Sequence, residues 1–292
     1  MLKAYKEKMF TFMGPKSYDW FNELESIIEY ATTKWQLTNL TPMDLSYNYV
    51  CSGHSEIYGE IVLKICLPGE EFQTEYHALT DLNDMVSLLD SDYDRRILLL
   101  NRLSPGETLW SVNGIQNRLD IAAKLINNTP SKLYGSDYPE HKQWIDNIYT
   151  YAKEHFEGHR LLEHLELVNS LYPILSVEDN EIMLLHGDLH HGNILSSDTW
   201  VVIDPKGVIG HRSLEVGRYM NNQIQENISF DICLEKMVNA FSEALKLDNR
   251  IILLSFYIDM VLSTSWCLED HDIDEDELKK KIEICDLIKV KL

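Results

Sequence analysis

"LLHGDLHHGNIL", residues 184–195, sets three histidines, an aspartate and an asparagine between two apolar runs. After it, "SSDT" (196–199) is a polar turn and "WVVID" (200–204) closes on Asp204, so Asn193 to Asp204 reads as a β-hairpin. Opposite residues of a hairpin lie roughly 5 Å apart, which sets Asn193 beside Asp204. An amide oxygen and a carboxylate placed this way suit Mg²⁺, a hard cation that takes oxygen ligands and nucleotide phosphates. Asp188 precedes Asn193 by five positions and projects into the same space. A carboxylate there that the metal does not need can accept the proton of an attacking hydroxyl. The D-x-x-x-x-N spacing, with a second Asp beyond a hairpin, is that of a phosphotransferase catalytic loop and its metal aspartate.

Two other readings compete for the same residues. The hairpin could be purely structural, with Asp188 and Asn193 stabilising turns. His186, His190 and His191 could hold a transition metal, but adjacent loop histidines rarely converge and no H-E-x-x-H spacing supplies a base. His186 reads better as a brace for the loop, and His190 and His191 as exposed.

Phosphotransfer also needs a strand lysine for the α- and β-phosphates and a helical acid to aim it. "EIVLKICL" (60–67) puts Lys64 inside an apolar strand, with Val62 and Cys66 on its face. Taken alone, a strand lysine is more often an exposed edge residue. Eleven residues on, Glu75 falls three after Phe72 and four before Leu79, on the apolar face of a predicted helix. An acid on a buried face requires a cation, and Lys64 is the candidate. Glu70 and Glu71 fit first-turn helix charges, favoured by the dipole.

The 292 residues exceed the usual single-core size. A strand-rich first third and a helix-rich remainder predict two lobes, 1–103 and 104–292. Predicted helices cover 17–37 (capped by Ser17, with Phe21, Leu24, Ile28, Ala31 and Trp35 inward), 68–82, 107–128, 139–157, 159–173, 229–246, 250–268 and 275–291. Strands are predicted at 45–50, at 57–66 around the turn "CSGHSE", and at 95–103. Five widely spread cysteines suggest reduced thiols in a cytoplasmic protein. The N-terminus is a poor signal peptide, and no apolar run approaches a membrane span. A net charge of −21 disfavours nucleic acid and anionic membrane and would attract a cationic small molecule.

With these motifs in hand, "LLHGDLHHGNIL…WVVIDPKGVIG" resembles the aminoglycoside phosphotransferase family, with H-G-D where protein kinases have H-R-D. "HGDLHHGNIL", "IDPKGVIG" and "STSWCLED" (263–270) are similar to its streptomycin-kinase and hydroxyurea-resistance-kinase branch. "KWQL", "IVLKIC…TEYHAL" and "LLLNRLSPGETL" fall in the order that branch would place them, so the resemblance runs over nearly the whole chain. It implies an α+β, protein-kinase-like bilobal fold with a strand-rich nucleotide-binding N-lobe and a mostly helical catalytic C-lobe. No G-x-G-x-x-G precedes Lys64, so another hairpin loop would cover the nucleotide, with Ser46 and Asn48 as candidate phosphate contacts. "NRL" (101–103) stands where backbone groups of Asn101 and Leu103 would meet adenine. "DPKG" replaces D-F-G, so no activation-loop switch is inferred; Lys206 is either a charge near the transferring phosphoryl or a solvated turn residue.

The expectation is an ATP- and Mg-dependent kinase acting on a hydroxyl of an aminoglycoside, streptomycin foremost. Lys64 and Glu75 would hold the nucleotide phosphates, Asn193 and Asp204 the metal, and Asp188 the acceptor hydroxyl. Streptomycin carries guanidinium groups, which carboxylates bind through paired hydrogen bonds. Glu269 and Asp270 are the candidates for this, whereas Asp272 or Asp274 reads as a cap for the last helix. No protein partner is implied. The alternatives are a kinase for hydroxyurea or another small metabolite, and a nucleotide-binding regulator without turnover. The intact set Lys64, Glu75, Asp188, Asn193 and Asp204 argues against the regulator.

Overall fold

The nearly continuous apolar run in "EIVLKI" (60–65) calls for a strand covered on both faces, and the computed structural model places one there. It describes residues 2–43, 47–128, 138–178, 182–223, 229–269 and 274–292. Contacts divide the chain into two units, Met1–Thr80 with Met85–Gly106, and Asp81–Asp84 with Glu107–Leu292.

In the first unit, helices α1 (Leu2–Met13) and α2 (Lys16–Trp35) lead into strands β1 (Leu37–Pro42), β2 (Tyr49–Ser55) and β3 (Gly59–Ile65). Helix α3 (Glu70–Asp81) follows, then β4 (Leu88–Asp92) and β5 (Ile97–Asn101). The sheet order is β1-β2-β3-β5-β4, antiparallel throughout. One face, with Ile61, Leu63, Ile65, Ile97 and Leu99, packs with Trp20, Leu24, Ile27, Ala31 and Trp35 of α2 and with Tyr5 and Met9 of α1. The other face carries Lys64 opposite Leu98, and Val62 opposite Leu100.

Several expectations are corrected here. "CSGHSE" is not a turn: residues 51–55 belong to β2, whose side chains alternate between buried and half-buried, and the chain reverses at 56–58. Ser17 does not cap α2; it lies inside the first turn and its hydroxyl donates to the Gly14 carbonyl at 2.7 Å. The buried stripe of α2 is centred on Trp20 and Ile27, with Phe21 and Ile28 at its margin. Helices α1 and strands β1 and β4 went unread, the two strands because neither carries a run of apolar residues.

The second unit contains α4 (Ile115–Asn127), α5 (His141–His155), α6 (Arg160–Leu171), α7 (Pro173–Glu178) and β6 (Ile182–Leu185). It continues through β7 (Ile194–Ser196), β8 (Trp200–Val202), β9 (Val208–His211), α8 (Arg212–Gln223), α9 (Phe230–Leu245), α10 (Asn249–Glu269) and α11 (Glu275–Lys289). The helix expected over 107–128 begins only at Ile115, after a single 3-10 turn at Leu109–Ser111. β6 pairs with β9 and β7 with β8, both antiparallel. The two ladders are consecutive stretches of one long hairpin, so the interruptions at 186–193 and 203–207 lie side by side. That topology brings the motif residues together.

Helix α10 passes the length and hydropathy test for a membrane span, contrary to the expectation that no stretch approaches one. However, 72% of that stretch is buried inside the protein. Helix α8 packs on it so closely that a Cβ at Gly217 would lie 2.3 Å from the Ser255 carbonyl oxygen. Only glycine fits there.

Candidate active site

The loop 186–193 is fixed through His186. Its Nδ1 accepts the Asp188 N–H at 3.1 Å, so the ring proton sits on Nε2, which donates to the Ile203 carbonyl at 2.8 Å. Its own carbonyl accepts from the N–H groups of Lys206 (2.8 Å) and Gly207 (3.2 Å). One neutral imidazole thus ties the Asp188 loop to the Asp204 turn. Burial pushes its pKa down to about 4, so it stays neutral over the physiological range.

From the other side, Glu215 of α8 takes the loop backbone. Its carboxylate accepts the N–H of His186 at 2.6 Å and that of Gly187 at 3.2 Å. Burial pushes this carboxyl up to about 7, against the pull of the Gly187, His186 and Leu189 N–H groups. Gly187 itself has φ +78°, and a Cβ there would lie 2.9 Å from Val208 Cγ1 and 3.1 Å from Trp144. The H-G-D glycine therefore serves both a left-handed backbone and a tight fit.

His191 is fully buried, which overturns its expected exposure. Its ring stacks between Trp110 (3.9 Å between centroids) and Tyr219 (4.3 Å), and Nε2 lies 2.8 Å from Gln223 Oε1. His190 is half-buried, accepts the Gly192 N–H on Nδ1 at 3.0 Å, and faces Asp188 Oδ2 with Nε2 at 3.8 Å. The three rings go to three different partners. Among the described residues, no group of three or more His, Cys, Asp or Glu side chains forms a metal-type cluster.

Asn193 donates its Nδ2 to the Asp188 carbonyl at 3.0 Å, which fixes the amide and leaves Oδ1 as the atom for a cation. The register corrects the expected juxtaposition by one residue. Ile203, not Asp204, stands across from Asn193, its N–H donating to the Asn193 carbonyl at 2.9 Å. Asp204 comes next, exposed and in the left-handed region at φ +58°. An oriented amide oxygen and an exposed carboxylate are hard oxygen donors, so this pair fits Mg²⁺.

In the first unit, Lys64 Nζ lies 2.6 Å from Glu75 Oε1, with the two residues only 5% and 6% exposed. Glu75 is on the inward face of α3 with Phe72, Ala78 and Leu79, and Cys66 Sγ is 3.9 Å from its second oxygen. Lys64 is therefore a core lysine with a dedicated partner, not an edge residue.

A model of the aminoglycoside/hydroxyurea antibiotic resistance kinase family matches residues 62–271, from the Lys64 strand to the end of "STSWCLED". The chain belongs to this family. It is therefore a phosphotransferase. The streptomycin 6-kinase of Streptomyces glaucescens is 23% identical over 280 residues, covering 88% of this chain and 87% of that protein. Among solved structures, the choline kinase LicA of Streptococcus pneumoniae superposes with TM-score 0.69 at 15% identity, covering 92% and 99% of the two chains. Amicoumacin kinase hAmiN, solved with AMP-PNP, Ca²⁺ and Ami, gives 0.65 at 14% identity, covering 91% and 93%. At these identities the structures establish a protein-kinase-like fold, strand-rich in the first unit and helical in the second.

Within this kinase the other sequence candidates fall as follows. Asn48 accepts the Leu67 N–H on Oδ1 at 3.0 Å, bracing the exit from the Lys64 strand and leaving its NH₂ as a donor. Ser46 and Asp270 lie outside the described residues, as does Asp272. The Asn101 N–H donates to the Ser87 carbonyl at 2.9 Å, so only its carbonyl remains for adenine. Leu103 follows the last ladder bond, from Arg102 N–H to the Glu60 carbonyl. Glu269 ends α10, and Asp274 caps α11 by accepting the Glu277 N–H at 2.8 Å. Sequence reasoning missed Glu215 because it missed α8. That helix, "RSLEVGRYMNNQ", is polar in composition although most of it is buried, so its sequence does not read as a core helix.

Proposed function

We propose that this protein transfers the γ-phosphoryl group of ATP, with Mg²⁺, to a hydroxyl of an aminoglycoside, with streptomycin the first acceptor to test. The observation that carries the reading is the braced D-x-x-x-x-N loop, tied to Asp204 by His186 and seated on Glu215, in a chain that also holds the buried Lys64–Glu75 pair. Phosphoryl transfer is largely positioning and charge neutralisation. Lys64, aimed by Glu75, holds the α- and β-phosphates. Asn193 and Asp204 hold the cation, which when bound offsets phosphate charge. Asp188 accepts a hydrogen bond from the acceptor hydroxyl and takes its proton as the new O–P bond forms and ADP departs. Lys206 adds positive charge near the transferred group, and the carbonyl of Asn101 and the N–H of Leu103 meet the adenine. Ser46 and Asn48 contact phosphate, and Glu269 and Asp270 take the acceptor's guanidinium.

Two relatives support the aminoglycoside reading: the streptomycin 6-kinase above, and a streptomycin 3''-kinase of Klebsiella pneumoniae, 27% identical over 111 residues. Hydroxyurea is the second reading, favoured by the family's own description. The test is ADP release over streptomycin, other aminoglycosides, hydroxyurea and common metabolite alcohols, with mass spectrometry of the product. A phosphorylated aminoglycoside is expected. Turnover of hydroxyurea alone selects the second reading, and binding of ATP with no turnover on any acceptor rejects both.

A further inference from the structure

The second unit contains a chain of polar side chains to which none of these roles assigns a task. Ser263 Oγ and Asp259 Oδ2 of α10 both lie against Asn221 Nδ2 of α8, at 2.7 and 2.8 Å. The other oxygen of Asp259 is 3.0 Å from Arg218 Nε, and Arg218 Nη1 ends 4.0 Å from Asp188 Oδ1. The guanidinium also lies over Trp266, 5.5 Å from the ring centre. Asp259 is 2% exposed.

A clasp between α8 and α10 needs only the contact between Arg218 and Asp259. Here the guanidinium also reaches the loop carboxylate. Nε pairs with Asp259 by charge and proximity, without a hydrogen bond of good geometry, and the guanidinium faces Trp266; between the two, the planar fork is confined with Nη1 toward Asp188. On the opposite side of Asp188, His190 accepts the Gly192 N–H on Nδ1, so its proton faces Asp188 Oδ2 at 3.8 Å. Both separations exceed a hydrogen bond. The carboxylate is steered from two sides while its lone pairs stay available for a hydroxyl.

We propose that Arg218, clamped by Asp259 and Trp266, is a positioning residue that holds the Asp188 carboxylate in the orientation that receives the acceptor hydroxyl. This rests on the role proposed above for Asp188. The test compares wild type, Asp188→Asn, Arg218→Ala, Arg218→Lys and the charge-balanced Arg218→Ala with Asp259→Ala, which leaves no buried anion unpaired. ADP release is followed with streptomycin as the acceptor probe and with water as acceptor (basal ATP hydrolysis), and folding by thermal unfolding. Misplacing a reacting group by about 1 Å costs on the order of 10²-fold. The folded double variant should therefore lose about that factor in kcat with the KM for ATP unchanged. Guanidinium ion should restore part of the loss in Arg218→Ala, and Arg218→Lys should recover less than arginine, since an ammonium cannot serve both carboxylates. Wild-type kcat in the folded double variant overturns the proposal, as does a loss confined to the acceptor KM or a loss in Arg218→Ala that guanidinium leaves untouched. Inactive Asp188→Asn beside a fully active Arg218 variant rejects Arg218 alone. A fully active Asp188→Asn rejects the base assignment itself.

Discussion

Replacing Glu75 by leucine leaves Lys64 buried at 5% exposure without the carboxylate that now lies 2.6 Å away. The converse change, Lys64→Met, removes the ammonium from a carboxylate that is only 6% exposed. Removing one partner of a buried ion pair typically costs about 3–5 kcal/mol, because the remaining charge keeps its desolvation penalty and loses the compensation. Removing both charges together, Lys64→Met with Glu75→Leu, fills the same volume with apolar atoms and leaves neither half of this pair buried without the other. The surroundings suit this: Ile61, Leu63 and Ile65 on one strand and Leu98, Leu99 and Leu100 on the next are buried core positions on both faces of the sheet. The double variant should therefore cost less than either single one, a strongly non-additive cycle. Urea unfolding of the first unit, read as a shift of midpoint at constant slope, measures all three. Nucleotide with Mg²⁺ should raise the midpoint of the wild type and of none of the variants, since ligand stabilises only a form that binds it. Single variants costing under about 1 kcal/mol each, and adding in the double, would mean that the pair behaves as a solvated surface bridge. The inference of a dedicated buried lysine would then be wrong.

Four further outcomes follow from the same geometry. Asp188→Asn should keep nucleotide affinity and lose about 10²- to 10⁴-fold in turnover, the usual range for a general base; wild-type turnover in the folded variant rejects the role. Asp204→Ala should abolish Mg²⁺-dependent nucleotide binding and Asn193→Ala should weaken it, as read by Mg²⁺ titration against a fluorescent nucleotide; unchanged titrations return the hairpin to a structural role. Glu269→Gln with Asp270→Asn should raise the streptomycin KM while leaving ATP affinity alone, each lost charged hydrogen bond costing roughly 1.5–3 kcal/mol; an unchanged KM moves the cation contact elsewhere. Stability should fall as pH drops below 6.5, because burial holds His141 near 3 and His186 and His191 near 4, so the unfolded chain binds protons that the folded one refuses. Glu215, raised from 4.5 to about 7, opposes this by binding a proton in the folded state across that window. Glu215→Gln should steepen the acid slope by up to roughly 1.4 kcal/mol per pH unit, and an unchanged slope would show that Glu215 does not hold that proton.

The placement of the motif residues was legible because spacing constrains it. Five positions from Asp188 to Asn193, a hairpin to Asp204, and a lysine and a glutamate on the covered faces of a strand and a helix leave few arrangements open. Boundaries were less legible where side-chain type and burial part company. "CSGHSE" has the composition of a turn, yet Cys51, Gly53 and Ser55 are buried on one face of β2. His191 looked exposed because a polar residue in a polar loop usually is. Its burial depends on Trp110 and Tyr219, 81 and 28 positions away, whose rings close on it only in the folded unit.

Of the two helices that support the loop, α10 was legible as a helix over 250–268 and α8 was not. Glu215 and Arg218 sit on α8, whose polar composition conceals its burial, and Asp259 sits on α10, which is buried nearly all round and so shows no one-sided pattern from which a helix face is assigned. These helices carry charges inward toward backbone and carboxylate groups that a local window of sequence never includes. Physically, such buried charges are tolerated only when each meets a partner. Glu215 meets the loop N–H groups, and Asp259 meets Arg218 and Asn221. The outcome is a loop whose His186 and Gly187 N–H groups are satisfied from beneath, while Asp188 makes no side-chain hydrogen bond among the described residues. In the role proposed for Asp188, a carboxylate held in place by its surroundings, with its lone pairs left for a hydroxyl, would need little reorganisation when the phosphoryl group arrives.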